Sequence, residues 1–163
     1  MDEGLKSLKE AMLQVSPVPV CFQPIDGEAN GFYSPAAGEI VVDSTLSEKQ
    51  SLKTLIHETA HALLHNPETA SSQSTRETKE VEAESVAYVV CQYFGLDTSD
   101  YSFGYIAGWS SGKGTPELKA SLETIRETSN GIITKTEQIL AAKTTLEQTV
   151  PQVLPEIHRG RCM

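Results

Sequence analysis

The stretch from Ser47 to Pro67 constrains the fold most, because a helix start, a helix period and a helix stop follow one another there. Ser47-Glu48-Lys49-Gln50 has the form of a capping box. The Ser47 hydroxyl can accept from the Gln50 amide while the Gln50 side chain reaches back. Leu52, Leu55, Ile56, Ala60, Leu63 and Leu64 then recur at helical spacing and mark one buried face. Asn66-Pro67 ends the pattern near His65. Such a helix needs a core to lie on. At 163 residues with 39% hydrophobic side chains, the chain can supply one within a single domain over residues 1–150.

Other elements can be read around it. Residues 2–15 place Leu5, Leu8 and Met12 on one side of a helix that Ser16-Pro17-Val18-Pro19 terminates. Residues 18–22 suit a short extended piece. From Asn30 to Asp43, two β-prone runs flank a turn rich in Pro, Ala and Gly, which reads as a hairpin. Residues 67–78 are polar and without period, as in an exposed loop. A second helix is expected over 79–94, buried at Ala83, Val86, Val90 and Phe94, with Gly95 at its C-terminal stop. Pro116 opens a last helix that continues, with a break near Gly131, to about Glu147. Residues 151–163 read as a loose tail.

The central helix carries His57-Glu58-Thr59-Ala60-His61, the H-E-x-x-H pattern, and His65 one turn later. Three of the four histidines of the chain thus lie on one helix. Histidines four apart share a face, so both imidazoles can reach one tetrahedral Zn²⁺. Glu58 is rotated by about 100° from His57 and so sits beside the metal, placed to act as general base and then acid. A catalytic zinc needs a third ligand. Glu80 and Glu84 share a face of the second helix, whereas Glu82 points nearly the opposite way and reads as a solvated charge. Glu80 is the preferred ligand, with Glu84 accepting from a ligand imidazole; the reverse assignment stays open. His65 lies roughly 12 Å along the axis from His57, too far to share its metal, and reads as a helix-end residue. Tyr101, Tyr105 and Trp109 recur every four residues. They form an aromatic packing stripe, or Tyr105 or Tyr101 supports an oxyanion near the metal. Tyr33 can approach the same cleft, and the hairpin strand can bind an extended peptide.

Charge and cysteine usage exclude several classes. The net charge of −9, with no Lys/Arg cluster, disfavours direct nucleic-acid binding by this domain alone and leaves a protein or peptide partner. Cys21, Cys91 and Cys162 are odd in number and far apart, against a disulfide framework or a C-x-x-C site. No apolar run approaches the roughly 20 residues of a membrane span, and the acidic N-terminus is unlike a secretory leader. A cytoplasmic location is expected.

The segments Leu55-Ile-His-Glu-Thr-Ala-His-Ala-Leu-Leu-His65 and Lys79-Glu-Val-Glu-Ala-Glu-Ser-Val-Ala-Tyr88 resemble the zincin-like domain of the antirestriction ArdC/LtrC-like proteins. They are also similar to the broader ImmA/IrrE metallopeptidase group, and Phe103-Gly-Tyr-Ile-Ala-Gly-Trp-Ser110 resembles the aromatic segment of the ArdC/LtrC-like branch. The resemblance covers about residues 20–145. It implies a gluzincin-like His-His-Glu zinc site and a gene carried on a mobile element. The expectation is therefore an α+β zincin-like domain that hydrolyses peptide bonds, with His57, His61 and Glu80 on Zn²⁺ and with Glu58 and Tyr105 catalytic. Two rivals are a non-proteolytic interaction module holding zinc and an antirestriction module.

Overall fold

A computed structural model describes residues 3–65, 75–98 and 103–149. Its elements, in chain order, are α1 (Glu3–Val15), β1 (Val20–Gln23), β2 (Gly31–Ser34), β3 (Glu39–Asp43), α2 (Glu48–Leu64), α3 (Arg76–Tyr93), α4 (Phe103–Ser110) and α5 (Thr115–Thr149). This is an α+β architecture with one small sheet. The expected tail, Tyr101 and most of the expected polar loop lie outside the described residues.

The sheet has the order β1-β3-β2. β3 pairs parallel with β1, Val20 opposite Ile40, and antiparallel with β2, Tyr33 opposite Ile40 and Gly31 opposite Val42. The expected hairpin is present, turning through Gly38 at φ 66°, a conformation that glycine adopts without steric cost. Ile40, Val41 and Val42 are all buried, so both faces of the central strand are covered. β2 is left at the edge, beside α2.

Helix α2 begins as expected, with the Ser47 hydroxyl accepting from the Gln50 amide at 3.1 Å. Its burial is wider than the single apolar face expected from its period. Ser51 through Ile56 are all buried, as are Glu58, Thr59, Ala60 and Ala62. The reason is tertiary: the sheet, α1 and α3 pack against α2 from different sides and enclose its polar positions as well.

Helix α3 starts at Arg76, three residues before the expected 79, because the Thr75 hydroxyl caps it by accepting from the Thr78 amide at 3.0 Å. It ends where expected. The Leu96 amide reaches the Cys91 carbonyl at 2.8 Å and the Gly95 amide reaches Gln92 at 3.1 Å, with Gly95 at φ 78°. That pair of bonds is a Schellman stop.

Helix α5 runs through Gly131 without the expected break. Ser129, Ile132 and Thr136 are buried around that glycine, and α5 packs on both α1 and α3, so tertiary contact outweighs the local cost of glycine. Lys143 ties α5 to α1 through Glu10 at 3.1 Å and Ser7 at 3.2 Å. Met12, Ile40, Leu52, Leu55, Ile56 and Ile132 are fully buried where these layers meet.

Cys91 is a buried free thiol. Cys21 is disulfide-bonded, a bridge that the odd number and wide spacing of the cysteines argue against. Among the described residues, no helix is long and apolar enough to cross a membrane.

Candidate metal centre

One turn of α2 separates His57 from His61, and both rings face α3. The Nε2 atoms of the two imidazoles converge on one carboxylate: His57 lies 3.3 Å from Glu80 Oε1, and His61 lies 3.0 Å from Glu80 Oε2. One donor atom from each of His57, His61 and Glu80 falls within 4.8 Å of the others. Ligands of a tetrahedral ion at about 2.0–2.1 Å stand about 3.3 Å apart, so these separations suit a divalent cation held by two nitrogens and one oxygen. Glu84, one turn beyond Glu80, approaches the other nitrogen of His57, with Nδ1 to Oε1 at 3.0 Å. The two carboxylates therefore divide between the two nitrogens of one ring.

Electrostatics follow from this crowding. Burial opposes a charge on His57, but hydrogen bonds to Glu80 and Glu84 outweigh it and raise the imidazole to about 10. The same two histidines hold the Glu80 carboxyl well below the usual carboxylate range. Burial raises Glu58, opposed by the nearby His57 and His61 and by the Tyr33 backbone N–H, which donates to its carboxylate. Glu58 thus belongs to the sheet side of α2 and the histidines to the α3 side.

A cleft of about 480 Å³ opens over the group, lined by Phe32, Tyr33, Pro35, Arg76 and Lys79 together with His57, Glu58, His61 and Glu80. A second recess of about 290 Å³ lies on the other side of His57, between Asn30, Gln50, Lys53 and Glu84. Tyr33, expected near the cleft, lines it. The Tyr105 backbone belongs to α4, while its side chain lies outside the described residues. Trp109 packs as the stripe reading expects: it is buried, and its indole N–H donates to Thr78 Oγ1 at 3.0 Å.

One expectation needs correction. Glu82 is not solvated; it is 8% exposed, because α5 closes over the side of α3 that helical geometry turned away from the histidines. There it accepts from the Ser121 hydroxyl at 3.1 Å and meets His65 Nε2 at 3.2 Å. His65 does sit at the helix end, as the C-cap of α2. Its ring, however, turns back so that Nδ1 lies 2.9 Å from His61 Nδ1.

Comparison with known proteins adds a relationship to this geometry. Residues 14–130 match the IrrE N-terminal-like domain of peptidase family M78. The chain belongs to that family. The IrrE-like match spans the whole sheet and every residue of the cluster, from Tyr33 to Ser121. A 112-residue stretch is also 38% identical to an uncharacterized protein of Bacillus anthracis, pXO2-81. That alignment takes in 66% of this chain but 19% of the relative, so the chain spans about a fifth of the protein it matches. No solved structure matches the chain significantly.

Proposed function

We propose that this IrrE-like domain is a zinc-dependent metallopeptidase of zincin-like fold that hydrolyses peptide bonds in a protein or peptide substrate. The convergence of His57 Nε2 and His61 Nε2 on Glu80, at 3.3 and 3.0 Å, is the observation that carries the reading. These three side chains would hold the ion, and a two-nitrogen, one-carboxylate set suits zinc while leaving a position open. When bound, zinc supplies Lewis acidity toward the scissile carbonyl and lowers the pKa of a water in the site.

Glu58 takes the proton of the attacking water and delivers it to the leaving nitrogen. Its buried position keeps the carboxyl above its usual range, which suits a group that must both accept and return a proton. The Tyr33 N–H fixes the orientation of that carboxylate from the sheet side. Glu84 accepts from His57 Nδ1 and so holds the ring with Nε2 toward the ion. The outer edge of β2 offers backbone groups to an extended peptide, which would lie along the cleft beside Phe32 and Tyr33. Tyr105 is assigned from its sequence position as an oxyanion donor, so Tyr105→Phe lowers turnover in this reading. The resemblance to ArdC/LtrC-like proteins supports a gene carried on a mobile element.

The test is metal content by elemental analysis of the wild type and Glu80→Ala, joined to a peptide-hydrolysis assay of the wild type and Glu58→Gln. Near-stoichiometric zinc in the wild type, its loss in Glu80→Ala, and a zinc-loaded but inert Glu58→Gln are expected. A wild-type chain that holds no metal after zinc is supplied would overturn the proposal.

A further inference from the structure

Beyond the cluster itself, a chain of buried polar groups crosses the domain from α2 through α3 to α5. His61 Nδ1 meets His65 Nδ1 at 2.9 Å, His65 Nε2 meets Glu82 Oε1 at 3.2 Å, and the Ser121 hydroxyl donates to Glu82 Oε2 at 3.1 Å. The side chains of His65 and Glu82 are 6% and 11% exposed, and Ser121 is 8% exposed. Burying a carboxylate and an imidazole is costly unless each hydrogen bond is made, so an arrangement this complete has a defined direction.

We infer that His65, Glu82 and Ser121 form a positioning chain that presents His61 Nε2 to the metal. The inference rests on the proposed metal centre. Glu82 offers one oxygen to the Ser121 hydroxyl and the other to His65 Nε2, at 3.1 and 3.2 Å. Where His65 donates Nε2–H to Glu82, its Nδ1 is left to accept. In that tautomer His61 Nδ1, 2.9 Å away, is the donor of the pair. With an ion bound, a proton held on Nδ1 would leave the His61 Nε2 lone pair for the metal, on the side where Glu80 stands. His57 is oriented in parallel fashion by Glu84 through one direct bond. The two ligand rings are thus anchored from separate residues, and the anchor of His61 reaches as far as α5. His65, one turn beyond His61, serves as a link to Glu82.

The test is a double-mutant cycle on the full chain with Glu82→Gln, His65→Gln and the pair. Zinc affinity is read by competition with a chelating dye, and Co²⁺ loading by visible absorption. Both substitutions keep a hydrogen-bonding group of similar size, and circular dichroism of the metal-free proteins checks their folding. Each single variant is expected to bind zinc about 10- to 100-fold more weakly. The pair should be no weaker than the worse single variant, because breaking a serial chain twice costs little more than breaking it once. Ser121→Ala, which removes only the far link, should weaken binding in the same direction and covers the case in which a glutamine variant fails to fold. Singles within about threefold of the wild type, or losses that simply multiply in the pair as for independent through-space charges, would overturn the inference while leaving the metal centre standing. A wild type that binds no zinc would instead remove the metal centre on which it rests.

Discussion

Gly31 opens β2 at the point where that strand lies closest to α2, and replacing it with alanine should damage both stability and the site. A Cβ there would stand 2.7 Å from Thr54 Cγ2 and 2.8 Å from the Val41 carbonyl oxygen. Ordinary contact begins at 3.4 Å, so relief requires displacements of 3.4 − 2.7 = 0.7 Å and 3.4 − 2.8 = 0.6 Å. Thr54 is buried on α2 three residues before His57, and the Val41 oxygen belongs to the central strand, so neither neighbour can simply rotate away. Overpacking of this kind costs about 1–3 kcal/mol. For a domain of this size, that corresponds to a fall in Tm of about 2–12 °C. The strand that must shift also carries the Tyr33 N–H bonded to Glu58, so hydrolysis should fall by more than the folded population does. Gly131→Ala is the matched control. A Cβ at that helical position has nothing within 4 Å, and the change should stabilise by up to about 1 kcal/mol through helix propensity. Circular dichroism melts of both variants read the two signs. A Gly31→Ala protein melting within about 1 °C of wild type would refute the packing argument for the β2–α2 contact.

Zinc supplied at about 1,000 times its Kd should stabilise the wild type by about 4 kcal/mol, an effect that Glu80→Ala abolishes in a thermal-shift assay. Glu84→Ala should retain metal with about 10- to 100-fold lower affinity, because it loses the support of His57 rather than a ligand; complete loss of zinc in this variant alone would exchange the roles of Glu80 and Glu84. In the metal-free protein, His57 is raised to about 10, above its ordinary 6.5. Its pairing with Glu80 and Glu84 therefore contributes fully below about pH 6.5 and is lost as pH rises through about 10, so the metal-free Tm should decline across that window and decline less in His57→Gln. Trp109→Phe removes the bond to Thr78 and should cost about 1 kcal/mol in urea unfolding, followed by circular dichroism because the chain has no other tryptophan.

Local chemistry explains what could be read from the sequence. The cap at Ser47, the histidine spacing on α2, the hairpin with its glycine turn and the stop at Gly95 all depend on residues within a few positions of one another. The side of α3 carrying Glu80 and Glu84 was legible for the same reason, since a four-residue spacing fixes a shared face. The misread features depend on distant parts of the chain. Glu82 looked solvated because Ser121, 39 residues away, is invisible to helical periodicity. Gly131 looked like a break because the burial of its neighbours Ser129 and Ile132 comes from α1 and α3. His65 was placed correctly along the helix axis, but the turn of its ring toward His61 depends on the α3 carboxylate it meets. The early start of α3 is not legible in the sequence because Thr75 caps it from within a polar stretch that lacks an apolar period.

The split environment of α2 bears on how such a domain can change over generations. The Glu58 carboxylate is steadied by the backbone of an edge strand, whereas the histidines are steadied by side chains of a neighbouring helix. A backbone contact survives almost any substitution in that strand, while the histidine contacts require particular acids on α3. Inheritance can therefore act on the two halves separately. Loss of Glu58 alone leaves the histidines with all their α3 partners, so a lineage is one substitution away from a descendant that keeps the histidine–Glu80 cluster without the carboxylate beside the sheet. Drift in α3 can loosen the ion-binding group while the carboxylate beside the sheet stays where it was.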